Sequence, residues 1–219
     1  MKYREYLKKI EGKESWPMIV VDGVVGVGKT TLMNILVKEF GYTAFLEPVV
    51  DNPILDKFYY DRKRYSFPLQ IFFLNNRFRS IKEASLIDKA VLDRSIYGDL
   101  IFAKLLVEND EMDEEEYNIY LDLFENMVEH LSPPKLMIYL ETSVDDAIKK
   151  INKRGRDYEQ VVEKDYWLRL NKQYTEYFKD YSISPLLKIN VDSLDFENNP
   201  KDREYVLGLI KDALDKIEK

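Results

Sequence analysis

Residues Gly23 to Thr30 read G-x-x-x-x-G-K-[ST], and the segments on either side limit what can surround them. Met18-Ile19-Val20-Val21-Asp22 is a short apolar run rich in β-branched residues, the composition of a buried strand. Beyond the loop, Leu32, Ile35, Leu36 and Phe40 recur at helical spacing. Strand, glycine loop and helix in that order form a phosphate cradle. Glycines let backbone N–H groups turn inward, and the new helix adds its unpaired N–H groups and the positive end of its dipole. The loop residues Gly23, Val24, Val25, Gly26, Val27, Gly28, Lys29, Thr30 and Thr31 would surround a triphosphate, Lys29 would reach its β- and γ-phosphates, and Thr30 would hold Mg²⁺. The bland alternative is an ordinary glycine-rich turn. With both flanks present, the motif predicts binding of a nucleoside triphosphate.

A chain of 219 residues fits one α/β domain with a full core. Its formal charge of −7 argues against a nucleic-acid polymer as partner. Without cysteine there are no disulfides and no thiolate metal sites. Residues Met1–Trp16 read as a short charged helix or loose lead-in, with no signal-peptide core, and no apolar run reaches membrane-spanning length. The expected compartment is the cytoplasm.

Further strands are expected at Tyr42–Leu46, Ala90–Asp93, Leu136–Leu140 and Leu186–Val191. Helical segments alternate with them: Asp51–Tyr60, a long helix from Ser66 to about Asp88 with Pro68 in its first turn, Tyr97–Val107, Asp113–Leu131 with Asp113 as cap, Ser143–Lys153, Glu163–Asp180, and a last one from about Lys201. Such alternation predicts a three-layer α/β/α fold with five parallel strands joined by right-handed crossovers. Ligands in such sheets lie beyond the strands' carboxyl ends, so Gly23, Glu47 and Arg94 should meet at one crevice.

Several residues near that crevice have two readings. Glu47 is either a base that accepts a proton from an acceptor hydroxyl or a solvated strand-end acid. Asp93 either holds Mg²⁺ or pairs with Arg94 on the surface; Arg94 otherwise holds the attacking oxygen or the transferring phosphate. Gln70, Leu74 and Arg77 share one helix face, which either meets a nucleobase or points to solvent. The aromatics Phe67, Phe72, Phe73 and Phe78 beside it read as core. Lys150, Lys153, Arg154 and Arg156 around Gly155 form either a mobile lid over phosphates or a solvated helix end. Glu159 either reaches back to a ligand or caps the helix at Glu163. The single histidine, His130, reads as structural, which removes histidine-based nucleophiles and zinc sites.

Taken in order, Gly23-x-x-Gly26-x-Gly28-Lys29-Thr30-Thr31, Glu47-Pro48-Val49, Tyr59 and Tyr60 ahead of Ser66-Phe67, Gln70 and Arg77, Asp93-Arg94-Ser95 with Asp99, and Arg154-Gly155-Arg156-x-x-Glu159 span almost the whole chain. This series resembles the deoxynucleoside kinases of the deoxycytidine, deoxyguanosine and deoxyadenosine kinase type, the bacterial deoxyadenosine/deoxyguanosine kinases above all. The resemblance implies ATP-dependent phosphorylation of a deoxynucleoside 5′-hydroxyl, with ATP and Mg²⁺ as cofactors, in one domain over residues 1–219 with a lid at about 150–160. It implies that Glu47 is the base and that Arg94 and Lys29 complete the catalytic set. Tyr59 or Tyr60, together with Glu159, would bind the sugar 3′-hydroxyl. Gln70 and the Arg77–Asp99 pair would read the base, which favours a purine, deoxyadenosine first. Arg154 and Arg156 would hold the donor phosphates, and Thr30 with Asp93 the metal. A homodimer through the helices at 97–107 and 113–131 and inhibition by the end-product triphosphate are implied in the same way.

Two departures stand out: the family's usual Glu-Arg-Ser is Asp93-Arg94-Ser95 here, and the stretch after Asp99 is one residue short, which leaves Phe102 without an assigned part. Two rivals share the phosphate loop. A thymidylate kinase resembles Glu-Pro-Gly and Asp-Arg-Tyr or Asp-Arg-His at the corresponding places. A non-catalytic guanine-nucleotide switch carries Asn-Lys-x-Asp and Asp-x-x-Gly, and neither is found here.

Overall fold

The computed structural model describes residues 13–47, 52–160 and 162–218. Most of the expected lead-in, together with Pro48, Val49 and Asp51, lies outside them. Five strands, β1 (Trp16–Asp22), β2 (Thr43–Phe45), β3 (Ala90–Asp93), β4 (Pro134–Glu141) and β5 (Leu186–Asn190), form one parallel sheet in the order β2-β3-β1-β4-β5. β1 pairs Ile19 with Val91 on one side and Val21 with Ile138 on the other. Met18 to Val21 are all buried, as expected of a strand covered on both faces, and this is why β1 reads as an unbroken apolar run. The chain leaves β1 for β2 and β3 on one side and later crosses to β4 on the other. A crevice therefore opens at the carboxyl end of β1.

The helices are α1 (Lys29–Phe40), α2 (Leu55–Tyr60), α3 (Arg62–Ala84), α4 (Asp99–Glu108), α5 (Glu114–Val128), α6 (Val144–Arg154), α7 (Asp157–Gln160), α8 (Lys164–Lys179) and α9 (Pro200–Ile217). The α/β architecture and the five-stranded parallel sheet are as expected; several helix bounds are not. α3 begins at Arg62, because the Asp61 side chain accepts from the Arg64 N–H and starts the helix a turn early. Pro68 therefore lies inside the helix rather than in its first turn, and the helix ends at Ala84, short of Asp88. α2 begins at Leu55, after Asn52 Oδ1 has taken the N–H groups of Ile54 and Leu55. α4 begins at Asp99, since 94–98 form the turn out of β3. α5 carries the expected Asp113 cap, closed into a capping box with Glu116. It ends at Val128, so His130 lies two residues beyond it. Among the described residues, no helix is long and apolar enough to cross a membrane.

Candidate active site

The phosphate loop turns directly out of β1. Gly23 has φ 146°, and a Cβ there would stand 2.5 Å from the Leu140 carbonyl oxygen, so only glycine fits. The buried side chains of Val24 and Val27 anchor the loop from below, while Val25 and Gly26 face a cavity. α1 starts at Lys29 after Gly28, with no side chain capping its first N–H groups, the arrangement that receives an anion. Lys29 is buried, and its Nζ donates to the carbonyls of Gly23 at 2.9 Å and Val24 at 3.0 Å.

Glu47, just past β2, is gripped by two arginines. Arg77 Nη2 donates to its Oε1 at 3.0 Å, and Arg94 Nε donates to its Oε2 at 3.2 Å. Burial alone raises its pKa, but Arg94, Arg77 and Lys29 outweigh that and bring it to about 2. The solvated reading of Glu47 is thus excluded by geometry. Arg94 also donates through Nη1 to the Gly23 carbonyl at 3.1 Å, so the three strand ends do meet at one crevice.

The inward face of α3 holds Gln70, Leu74 and Arg77, all buried, which excludes the solvent reading. All three guanidinium nitrogens of Arg77 donate. Nε donates to both oxygens of Asp99 at 3.0 and 2.8 Å, Nη1 to the Asp93 carbonyl at 2.8 Å, and Nη2 to Glu47. Burial pushes the Asp99 carboxyl up to about 6, with Arg77 pulling against it.

A cavity of about 250 Å³ lies over these groups. Gln70, Tyr59, Phe102, Tyr166 and Glu159 face it, together with Glu47, Arg77, Arg94 and Asp99. Tyr59 is on the wall, whereas Tyr60 next to it is 92% exposed. Phe102, unassigned from sequence, lies under the Arg94 guanidinium at 5.1 Å. A second cavity of about 600 Å³ lies on the far side of the phosphate loop, lined by Thr31, Lys150, Lys153 and Phe196 among others. Gly26, Lys29, Thr30, Arg154 and Arg156 border both. Two cavities that share the phosphate loop and this pair of arginines suit a donor and an acceptor meeting at one point.

The basic segment at the end of α6 is held together by charge. Arg154 ends α6, Gly155 caps it in a left-handed turn, and Arg154 Nη2 donates to both oxygens of Glu159 at 2.7 and 2.6 Å. Arg156 adds a longer contact of 3.5 Å. Glu159 is buried and does not cap α8, which removes that alternative.

Thr30 Oγ1 donates to Asp93 Oδ2 at 3.4 Å, while Asp93 Oδ1 is buried with no hydrogen-bond partner among the described residues. Burial pushes the Asp93 carboxyl up and Lys29 pulls it down. A hydroxyl beside an unpartnered carboxylate oxygen fits a hard cation that takes its remaining ligands from phosphates and water. The surface-pair reading of Asp93 and Arg94 fails, since both are buried and Arg94 turns to Glu47.

A family model described as "Deoxynucleoside kinase" matches residues 19–215. The chain belongs to the deoxynucleoside kinase family. The kinase is 41% identical over 211 residues to a deoxyguanosine kinase of Lactobacillus acidophilus, covering 92% of each chain. It is 40% identical over 209 residues to a deoxyadenosine kinase of the same organism, covering 91% of this chain and 97% of that one. A solved deoxyadenosine kinase from M. mycoides, with the products dCMP and a flexible dCDP bound, shares its fold with a TM-score of 0.81. That structure is 33% identical and covers 89% of this chain and 99% of its own.

Asp22 and Tyr174 also belong to this network, and the sequence does not single them out. Both are buried against Arg94 or the phosphate loop, yet one reads as a strand's last residue and the other as helix core. An acid at the end of an apolar strand, immediately before a glycine loop, was the available signal for Asp22.

Lys29 gives the site a pH signature. Burial first, and then Arg94, pull its ammonium down to about 8, with Asp93, Glu47 and Asp22 pulling against them. A triphosphate bound beside Lys29 would favour the ammonium form, so this value would govern the free enzyme alone. The expected result is that kcat/KM for the triphosphate falls about tenfold per pH unit above roughly pH 8, while kcat at saturation stays flat through the same range. Steady-state kinetics from pH 6.5 to 9.5 check it.

Proposed function

We propose that this kinase transfers the γ-phosphoryl group of ATP directly to the 5′-hydroxyl of a purine deoxynucleoside, deoxyadenosine first. The observation that carries this reading is Glu47 held between Arg77 and Arg94 on the wall of the first cavity, which shares Lys29, Thr30, Arg154 and Arg156 with the second.

In this reading Glu47 accepts the hydrogen bond of the 5′-hydroxyl and aligns its oxygen with the phosphorus. A carboxylate near pKa 2 is a poor base for a free alcohol, but a loose phosphoryl-transfer transition state releases the proton late and needs mainly alignment. Arg94 and Lys29 stabilise charge on the transferring oxygens. Arg154 and Arg156, in the lid segment at about 150–160, take the donor phosphates when their side chains turn from Glu159, and Glu159 with Tyr59 takes the 3′-hydroxyl. Gln70, which lines the first cavity, and the Arg77–Asp99 pair offer donors and acceptors to a purine edge. Thr30 and Asp93 would hold Mg²⁺, which when bound neutralises phosphate charge. The whole of 1–219 would work as one such unit, as a homodimer through α4 and α5, in the cytoplasm.

The test is ATP-to-ADP turnover with each of four deoxynucleosides and with thymidine monophosphate. Deoxyadenosine is expected to give the highest kcat/KM. Turnover confined to the monophosphate would return the thymidylate kinase reading, and ATP binding without turnover the switch.

A further inference from the structure

Asp22 closes β1, and its carboxylate is fully buried. An ionised carboxylate in such a place is strongly disfavoured unless hydrogen bonds replace its water. Four donors do so. Oδ1 accepts from the Gly23 N–H at 2.8 Å and the Tyr174 hydroxyl at 3.4 Å. Oδ2 accepts from the Ser95 N–H at 2.9 Å and the Ser95 hydroxyl at 2.7 Å. The donors come from the first residue of the phosphate loop, the turn after β3 and the middle of α8.

Each of these segments also touches Arg94. Its Nη1 donates to the Tyr174 hydroxyl at 2.7 Å and to the Gly23 carbonyl at 3.1 Å. Arg94 adopts φ 68°, a left-handed conformation that costs energy for a side chain with a Cβ. The peptide bonds on either side hold it there: its own N–H donates to the Val21 carbonyl at 2.9 Å, and the next N–H donates to Asp22. Gly98 makes room for the carboxylate. Its φ of −64° suits any residue, but a Cβ there would stand 2.8 Å from Asp22 Oδ2.

We propose that Asp22 is a positioning residue for phosphoryl transfer: one buried carboxylate holds the phosphate loop, the Arg94–Ser95 turn and the Tyr174 hydroxyl in a single register and so aims the Arg94 guanidinium. The inference rests on the part proposed above for Arg94. The chemistry of the donors defines what a substitution does. A carboxylate accepts at both oxygens, whereas a carboxamide accepts at one and donates at the other, and backbone N–H groups cannot reverse. In Asp22→Asn, whichever way the amide turns, its NH₂ faces the N–H of Gly23 or that of Ser95.

The experiment compares Asp22→Asn, Tyr174→Phe and the double variant, with thermal melts to confirm folding. Tyr174→Phe keeps the ring that stacks on Phe178 and removes only the hydroxyl, so it tests the proposal even if Asp22→Asn does not fold. Each single variant is expected to lose about ten- to a hundredfold in kcat with KM for both substrates within about threefold, because aim rather than affinity is lost. The double variant is expected to be little worse than Asp22→Asn alone, as for residues acting in one chain of hydrogen bonds. Wild-type kcat in folded Tyr174→Phe and Asp22→Asn, or losses that simply multiply, would overturn the proposal. Arg94→Gln is assayed alongside. If it keeps full turnover, the reading of Arg94 has failed, and amide exchange at Gly23 and Ser95 then decides: faster exchange in Asp22→Asn upholds Asp22's hold on both segments, and unchanged exchange ends it.

Discussion

Glu47→Gln is expected to lower kcat by about 10²- to 10⁴-fold, the range for loss of a positioned proton acceptor. The carboxamide keeps the shape of the side chain but presents an NH₂ to Arg77 or Arg94, each of which already donates to one carboxylate oxygen. The hydroxyl of the acceptor then loses its alignment, and two buried guanidinium groups lose the anion between them. Affinity for ATP should change little, because the phosphate loop is untouched. The same substitution has a signature in stability. With its pKa near 2 in the fold and 4.5 as the ordinary value, Glu47 favours the folded state fully above pH 4.5, and that contribution, on the order of 3 kcal/mol, fades as pH falls toward 2. Asp99, raised to about 6 by burial, works in the opposite direction: its contribution is present below its ordinary value of 3.8 and is lost as pH rises through 6. Urea unfolding from pH 2 to 7 should therefore show a maximum near pH 4 to 5 in the wild type. The loss of stability on the acid side should be much shallower in Glu47→Gln. An acid limb of equal depth in both would show that Glu47 is not clamped as described.

Arg94→Lys is expected to cost roughly 10³-fold in kcat, the scale on which arginines that face a transferring phosphoryl group act. The guanidinium is fixed in three directions at once, toward Glu47, the Gly23 carbonyl and the Tyr174 hydroxyl. An ammonium on a flexible stem carries the same charge without that planar fork and cannot keep these contacts together. Lysine also inherits the left-handed backbone at this position, so no backbone strain is relieved. Single-turnover assays at saturating substrates measure the chemical step directly. A loss below tenfold would mean that charge alone suffices and that the fork has no part in transfer.

The parts of the site legible in the sequence are those whose evidence is local. The phosphate loop shows itself because its glycines, its lysine and both flanking elements fall within about one strand and one helix of chain. Gln70 and Arg77 show themselves because a helix brings residues seven apart to one face. Glu47 and Arg94 follow from strand ends, since parallel sheets gather their ligands there. The parallel order of the sheet follows from alternating strands and helices joined by crossovers.

What the sequence leaves open depends on partners far along the chain or on small angular differences. Tyr59 and Tyr60 are adjacent, and only the packing of α2 turns one ring to the cavity and the other to solvent. The early start of α3 lies in Arg62-Lys63-Arg64-Tyr65, a polar stretch without helical apolar spacing, and it depends on one capping contact from Asp61. Tyr174 is one tyrosine among 16 and reads as core until its hydroxyl is seen between Arg94 and Asp22. Asp22 finds Ser95 and Tyr174 across separations of 73 and 152 residues, and no local pattern encodes such a meeting. By itself the sequence determined the fold class, the phosphate loop and the acids and arginines at strand ends, because short-range periodicity and turn chemistry encode them. Only the tertiary structure decided which buried groups share one hydrogen-bond network, because a buried polar group must find its partners wherever the folded chain brings them.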